Sequence, residues 1–474
     1  MYICISNKIT IKEATPEAFE WCKKNLEFPN PEYAKKQSMG LWTGNIEPVI
    51  VLWERKGSDA ILPYGATGAF MAAFPSIPWE YGFKAPEPYS IHYHSNIELY
   101  DYQKEALGKV DRRYNGVIVM PCGSGKTQTA LELVARLGRR TLWLTHTHEL
   151  LKQSLERAQN CFGLPFEEYG TITSGKINVG KAITFATIQT MVNIDLEPYR
   201  DYWDVIIVDE CHKAVGTPTK LMMFYKVVSS LNAAYKYGLT ATPQRNDGLE
   251  RCMYALLGGK LCEVPEEAVA KNTVPIHVWQ CESEIYEPNL HNVLRPDGTL
   301  DFVKLINDIC HNRERNADIA GIVNGMNSQG KTCLVLSDRV EHLELLRKAV
   351  GEDYTMQIYS MSGSKAAKQA RKDCIDKLKK RQIRCLFATY QLAKEGLDIP
   401  TLDCVVLATP KKDRITVVQS CGRCGRKSPG KDAGYVIDYV DTAFSILKNY
   451  DPLWHDKSVG CGPRADERPA IGRI

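Results

Sequence analysis

The sequence predicts an α/β protein built on parallel sheets in two successive halves, with a separate α+β segment in front. Three observations carry this. From Leu99 to about Val264, short apolar runs alternate with helical periodicity, as strand–helix–strand units around a parallel sheet require. From Arg313 onward the same alternation resumes. Residues 1 to about 97 follow another pattern, rich in Pro, Trp and Tyr. At 474 residues the chain is too long for one core, and roughly 100–200 residues per domain gives about three domains.

In the N-terminal segment the apolar run Pro48 to Trp53 reads as a strand, and Leu62 to Gly68 and Phe74 to Tyr81 read as turn-rich. Buried strands of the first half are Gly116 to Met120, Thr141 to Leu144, Ala182 to Phe185, Val205 to Val208 and Tyr237 to Leu239. Pro265 to about Asn312 breaks the rhythm with Pro288 and a Pro296-Asp297-Gly298 turn, and reads as a connector with some structure of its own. Strands of the second half are Thr332 to Leu336, Gln357 to Tyr359, Cys385 to Ala388, Cys404 to Leu407 and Tyr435 to Ile437, with the amphipathic helix Val340 to Val350 after the first. The expected organisation is an accessory domain over 1–97, α/β domains over 98–264 and 313–446, a connector over 265–312 and a loosely packed tail over 447–474.

Composition excludes more than it selects. Apolar residues at 44% and charged residues at 24% are ordinary for a soluble globular chain. A net charge of +4, from 60 basic and 56 acidic residues, is too small to argue for nucleic acid, which needs a basic patch rather than a basic sum. The opening MYICISNKIT lacks a secretory pattern and no run reaches a membrane span, so a cytoplasmic protein, in a phage-infected or other prokaryotic cell, is expected. The 16 cysteines mostly sit singly in apolar runs and read as reduced thiols; Cys421 and Cys424 form the one C-x-x-C, without a second pair. His92 and His94 lack further ligand partners in sequence, and Glu54-Arg-Lys56 is a lone nuclease-like trace.

Pro121-Cys-Gly-Ser-Gly-Lys-Thr127 follows a buried strand and precedes the helical run Thr129 to Leu137, the context of a phosphate-binding loop. Gly123 and Gly125 let the backbone curl so that N–H groups, with that of Ser124, aim at phosphate oxygens beside a helix N-terminus. Lys126 is placed to reach β- and γ-phosphates and Thr127 to ligate Mg²⁺. Met120 stands where the usual pattern has its first glycine. Asp209-Glu-Cys-His212 directly follows the strand Val205 to Val208, so Asp209 is placed to hold Mg²⁺ and Glu210 to orient and deprotonate a water. The cofactors expected are ATP and Mg²⁺.

With these motifs in order, the sequence resembles the superfamily 2 helicases of DEAD/DEAH type over most of residues 99 to 430. Leu99-Tyr-Asp-Tyr-Gln103 resembles the adenine-reading Q motif, Thr145 to Gln153 motif Ia, and Thr184 to Thr190 the next strand-contacting motif. Gly238-Leu-Thr-Ala-Thr-Pro-Gln-Arg245 matches motif III, in which Thr240 and Thr242 link the nucleotide site to the nucleic-acid groove. Ser337-Asp-Arg339 resembles motif IV and Thr389 to Asp398 motif V; Gln419 to Arg426 matches motif VI. The resemblance implies two tandem RecA-like P-loop domains with parallel sheets. It gives Gln103, Gly396, Asp398 and Gln419 to the nucleotide, and Arg423 and Arg426 to the γ-phosphate, where a planar guanidinium stabilises spreading charge. It gives Thr145, Thr187, His212, Thr240, Thr242, Arg339 and Thr389 to nucleic-acid contact or coupling, with ATP closing a cleft between the domains and hydrolysis reopening it.

Within that family, Asn246-Asp-Gly248, the His at 212 and the N-terminal module resemble the DNA-repair translocases and phage branch-migration (UvsW-like) helicases. The expected partner is DNA, duplex or branched, without a membrane, for a chain acting as a monomer. Two alternatives stand beside this: a restriction-complex motor that translocates duplex without unwinding, and an ATP-switched nucleic-acid-sensing scaffold.

Overall fold

The structure is a computed structural model describing residues 1–82, 91–111, 113–121, 123–213, 218–241, 243, 248–351, 355–358, 365–394, 399–411 and 414–442. Contacts divide the chain into two compact units, Met1–Ala268 and Val269–Ile474. Each carries a parallel sheet, so the α/β class read from the sequence holds in both.

The first unit begins with a five-stranded sheet in the order Glu54–Lys56, Asp59–Pro63, Lys8–Lys12, Tyr2–Ile5, Trp79–Tyr81. Ile3, Ile5, Ile9 and Ile11 alternate with more exposed neighbours and are buried, the period-2 pattern of a sheet with one covered face. Helix Pro16–Leu26 covers that face; Thr15 caps it by accepting the Ala18 N–H, and Pro16 takes the first helical position. The segments read as turn-rich hold a short 3₁₀ turn Tyr64–Ala66, helix Thr67–Ala73 and strand Trp79–Tyr81. Each is three to seven residues long and closely flanked by proline or glycine, which is why periodicity did not register.

An eight-stranded sheet follows, in the order Lys176–Asn178, Tyr169–Thr173, Ile183–Thr187, Thr141–Thr145, Val205–Val208, Tyr235–Thr240, Asn115–Val119, Lys260–Glu263. Only its outermost pair is antiparallel. Ile3, Phe28, Leu62 and Phe70 of the N-terminal segment share one continuous core with Leu144, Val208 and Leu257. Tyr64 donates to the Ala234 carbonyl at 2.8 Å, and a side chain at Gly65 would strike the backbone of Ala255 and Gly258, so the junction closes to backbone contact. Lys236 is fully buried here; its Nζ donates to the carbonyls of Val228 and Leu231 at 3.0 and 3.3 Å and lies 4.7 Å from the Tyr64 ring centre. It thus satisfies carbonyls at the C-terminal end of helix Pro218–Ser230.

The second unit holds a six-stranded, wholly parallel sheet in the order Ile276–Ser283, Gly434–Asp441, Cys404–Leu407, Cys333–Ser337, Cys385–Thr389, Thr355–Ile358. Its edge strand comes from the stretch read as a connector: Ile276–Ser283 pairs with Gly434–Asp441 along eight residues. His277, Gln280 and Glu282 interrupt its apolar pattern, as suits an edge. Helices Phe302–His311 and Arg313–Ser328 start on Asp301 and Asn312, whose side chains accept helix N–H groups. Among the described residues no helix is long and apolar enough to cross a membrane.

Candidate functional site

Strand Asn115–Val119 delivers the chain to the glycine loop, and helix Lys126–Leu137 leaves it. Gly123 and Gly125 have φ of 81° and 75°, left-handed values at which a side chain is strained. A side chain at Gly125 would also meet Gln103 Nε2 at 2.6 Å. Lys126 is the first helical residue and Thr127 the second, at the positive end of the helix dipole. The Ser124 hydroxyl turns back to the Pro121 carbonyl at 2.7 Å, so its part in the loop is structural in this form.

Gln103 is 2% exposed, and both ends of its amide are engaged: Oε1 accepts from the Tyr100 N–H at 2.9 Å and Nε2 donates to the Ser124 carbonyl at 2.8 Å. Tyr102 OH donates to the same carbonyl at 3.0 Å. In this form Gln103 braces the loop through these contacts.

Asp209 and Glu210 end the strand Val205–Val208, two strands from the loop's own strand. Asp209 is 6% exposed and accepts the Glu210 N–H at 3.0 Å. Glu210 has φ 50°, a left-handed backbone at a non-glycine residue, which costs roughly 1–2 kcal/mol and clusters at functional sites. Burial and the adjacent Glu210 charge push the Asp209 carboxyl upward. Burial also opposes ionisation of Glu210, but the positive charges of Lys126, His212, Lys213 and His146 outweigh it and hold that carboxyl below its ordinary range. Lys126 is thus an electrostatic partner of both acids. Glu210 Oε2 is buried and takes no hydrogen bond from a described residue. Such an oxygen suits a water to be activated, and the two carboxylates with Thr127 suit a hard cation. The site fits ATP with Mg²⁺.

Gly238 explains a glycine of the neighbouring strand: a side chain there would meet Cys211 Sγ at 2.8 Å. Next to it, His212 is 3% exposed, with Nδ1 hydrogen-bonded to Thr240 Oγ1 at 2.9 Å and standing 3.3 Å from Glu210 Oε2, so the histidine lies between the acid and the strand carrying Thr240. Lys213 Nζ lies 2.9 Å from His146 Nε2, a pair the sequence reading missed because the two residues stand 67 positions apart. Thr145 is fully buried and donates to the Thr147 carbonyl at 3.1 Å; Thr187 is 6% exposed and bonds Thr190 at 3.0 Å. Both hydroxyls organise the ends of their strands. Thr242 lies outside the described residues.

In the second unit, Arg339 donates through Nε to Asn307 Oδ1 at 2.7 Å, and Thr389 accepts the Leu392 N–H at 3.5 Å. Arg423 and Arg426, both half-buried, occupy the turn after helix Arg414–Cys421. The turn is clamped: the Gly425 carbonyl accepts the Val274 N–H at 2.9 Å, a side chain at Gly425 would meet Ile276 Cδ1 at 2.9 Å, and one at Gly434 would strike the Cys424 carbonyl. The C-x-x-C is part of this packing. Cys424 Sγ donates to the Cys421 carbonyl at 3.0 Å, and burial pushes its thiol up to about 12. Gly396, Asp398 and the Gln419 side chain lie outside what is described. Among the described residues no three His, Cys, Asp or Glu side chains gather as a metal site, His92 and His94 are exposed, and Lys56 pairs with Glu54 itself at 3.7 Å on an exposed edge strand.

Comparison with known proteins decides the family. The family described as "Type III restriction enzyme, res subunit" matches residues 96–245, and the helicase conserved C-terminal domain matches residues 314–428. The chain belongs to the superfamily 2 helicases. This helicase is 26% identical over 341 residues to L396 of Acanthamoeba polyphaga mimivirus, named as an ATP-dependent RNA helicase; the match covers 70% of the chain and 61% of L396. It is 27% identical over 368 residues to the DNA 3′-5′ translocase XPB2 of Sulfurisphaera tokodaii, covering 70% of the chain and 79% of XPB2. The chain spans less than two thirds of several curated relatives it matches. Among solved structures, the DNA-bound restriction-modification enzyme LlaBIII superposes with a TM-score of 0.55 at 20% identity, over 80% of this chain and 30% of LlaBIII. That likeness shows the fold.

Proposed function

We propose that this helicase hydrolyses ATP to move along or remodel DNA, duplex or branched, with the roles assigned from its motifs. Lys126 and the loop residues Gly123, Ser124 and Gly125 bind the triphosphate, with Gln103 bracing the loop. Thr127 and Asp209 hold Mg²⁺, which supplies positive charge to the β- and γ-phosphates. Glu210 orients and deprotonates the attacking water, and Arg423 and Arg426 stabilise charge on the transferred group. Gly396, Asp398 and Gln419 complete nucleotide contact; Thr145, Thr187, Thr240, Thr242, Arg339 and Thr389 serve nucleic-acid contact or coupling, and residues 1–97 form a DNA-engaging accessory module within a cytoplasmic monomer.

The single observation carrying this reading is the buried Asp209-Glu210 pair under the charge of Lys126, with Glu210 held in a strained backbone. A scaffold that only sensed nucleotide would have no use for an ionised carboxylate placed to orient a water. XPB2, whose name gives it DNA 3′-5′ translocation, supports DNA as the track. The restriction-enzyme family match over 96–245 favours a second reading, a motor that translocates duplex without separating strands. Steady-state ATPase and strand-displacement assays on forked DNA, four-way junctions, blunt duplex and RNA test both. The first reading predicts DNA-stimulated hydrolysis with displacement on branched substrates; the second predicts stimulation by duplex without displacement. Stimulation by RNA alone contradicts both.

A further inference from the structure

The starts of strands Asn115–Val119 and Tyr235–Thr240 lie at the opposite end of the sheet from the glycine loop, about 16 Å away by the rise of a five-residue strand. Aromatic rings line up at this end. Trp79 and Tyr81 have ring centres 5.1 Å apart, Tyr81 and Tyr114 6.2 Å, and Tyr114 stacks on Tyr235 at 5.1 Å. Trp79, Tyr81 and Tyr114 are 46%, 50% and 45% exposed, although Trp is highly buried on average. The row crosses from the edge strand of the N-terminal sheet to the start of the parallel sheet, and Arg139 lies 5.8 Å from the Tyr235 ring centre at its far end.

Tyr114 also lines a cavity of about 720 Å³ between the N-terminal segment and the parallel sheet. Lys109, Arg113, Arg251 and Lys260 line the same cavity, with Trp21 on its wall. Glu105 and Glu263 pair with Lys109 and Lys260 at 2.7 and 2.5 Å, and Arg251 stands 5.5 Å from the Phe28 ring centre. No carboxylate belongs to the cavity lining itself. Half-exposed rings in a row, beside a hollow lined by cations, are what unpaired bases and their phosphates require together: every base has a face to stack, and the backbone needs only positive charge.

We propose that Trp79, Tyr81 and Tyr114 form a stacking platform for a single-stranded nucleic-acid segment whose phosphates run along the Arg113 and Arg251 side of the adjoining cavity. The site is separate from the motif threonines at the other ends of the strands. It deepens the motor reading, on which it rests, by giving the N-terminal module a specific hold on a displaced or unpaired strand.

The test uses the full chain and oligo(dT) of twenty nucleotides carrying 5-iodouracil. Photo-crosslinking followed by peptide mapping is expected to yield adducts on Trp79, Tyr81 or Tyr114; adducts confined to residues 141–191 overturn the proposal and leave the motor reading intact. In fluorescence anisotropy, Tyr81→Ala and Tyr114→Ala are expected to weaken oligo(dT) binding by roughly five- to hundredfold each, the usual range for one lost stack, while Tyr114→Phe keeps wild-type affinity. Arg113→Gln is expected to lower the salt dependence by about one counterion. Unchanged affinity in the alanine variants, or binding of thymidine monophosphate as tight as that of the oligomer, overturns the proposal. Absence of any nucleic-acid binding by the wild type overturns the motor reading with it.

Discussion

The C-terminal strand ends of the two parallel sheets treat charge in opposite ways. In the first unit, two adjacent acids are buried together, one in a strained backbone, under surrounding cations. In the second, a fully buried Arg315 is closed off by its own acid: Nε and Nη2 donate to Asp441 at 2.7 and 3.0 Å, and Nη2 also donates to the Ala408 carbonyl at 2.9 Å. Asp338 and Lys411 pair nearby at 2.6 Å. The first arrangement leaves a carboxylate oxygen for something from outside, whereas the second pairs its acid with two of the three guanidinium nitrogens, leaving Nη1 without a hydrogen bond among the described residues, and fixes a frame. One sheet end is built for chemistry and the other for rigidity, while Arg423 and Arg426 sit on the clamped turn at the opposite, N-terminal end of strands Ile276–Ser283 and Gly434–Asp441.

The largest effects should come from the chemical end. Lys126→Ala removes the charge shared by both acids and the proposed phosphate contact, so nucleotide binding or turnover should be lost in ATP-binding and ATPase assays. If Arg423 acts on the transferred phosphoryl, Arg423→Ala should keep ATP affinity and lower kcat by about 10³-fold or more. A variant with near-normal kcat would move Arg423 to the structural side of the comparison.

At the rigid end the expected loss is in stability. Arg315→Met strands a buried Asp441 carboxylate and should destabilise the unit by about 3–5 kcal/mol, while Arg315→Met with Asp441→Leu should recover much of that loss. Denaturant melts of the single and double variants measure it; equal losses in both would mean the pair is not the frame described.

A smaller effect concerns Lys236. Burial depresses its pKa from 10.5 to about 7, so between those values the unfolded chain holds a proton that the folded chain lacks. The penalty is absent above about pH 10.5, grows as pH falls, and is complete below about 7. Stability of the first unit should therefore gain from this group as pH rises through that window, and Lys236→Met should flatten that contribution in pH-dependent melts.

Much of this was legible because chemistry imposes sequence. Phosphate loops need glycines before a helix, so Gly123, Gly125 and Lys126 stood out, and strands buried on both faces read as unbroken apolar runs, as Val205–Val208 does. What escaped has physical reasons too. Ile276–Ser283 is an edge strand whose polar positions break the apolar run. The Lys213–His146 pair joins residues 67 apart in sequence, and no local pattern reports such a contact. Gln103 was found by the resemblance of Leu99 to Gln103 to the Q motif, but its hydrogen bonds to Tyr100 and Ser124 depend on how the chain folds back on itself.

The most direct test of the chemical end is Glu210→Gln, assayed for ATP binding and for single-turnover hydrolysis with DNA present. The account predicts that ATP still binds, that the cleavage step slows by roughly 10²- to 10⁴-fold, the range for a lost general base, and that the variant stays on DNA. Hydrolysis at the wild-type rate would contradict it.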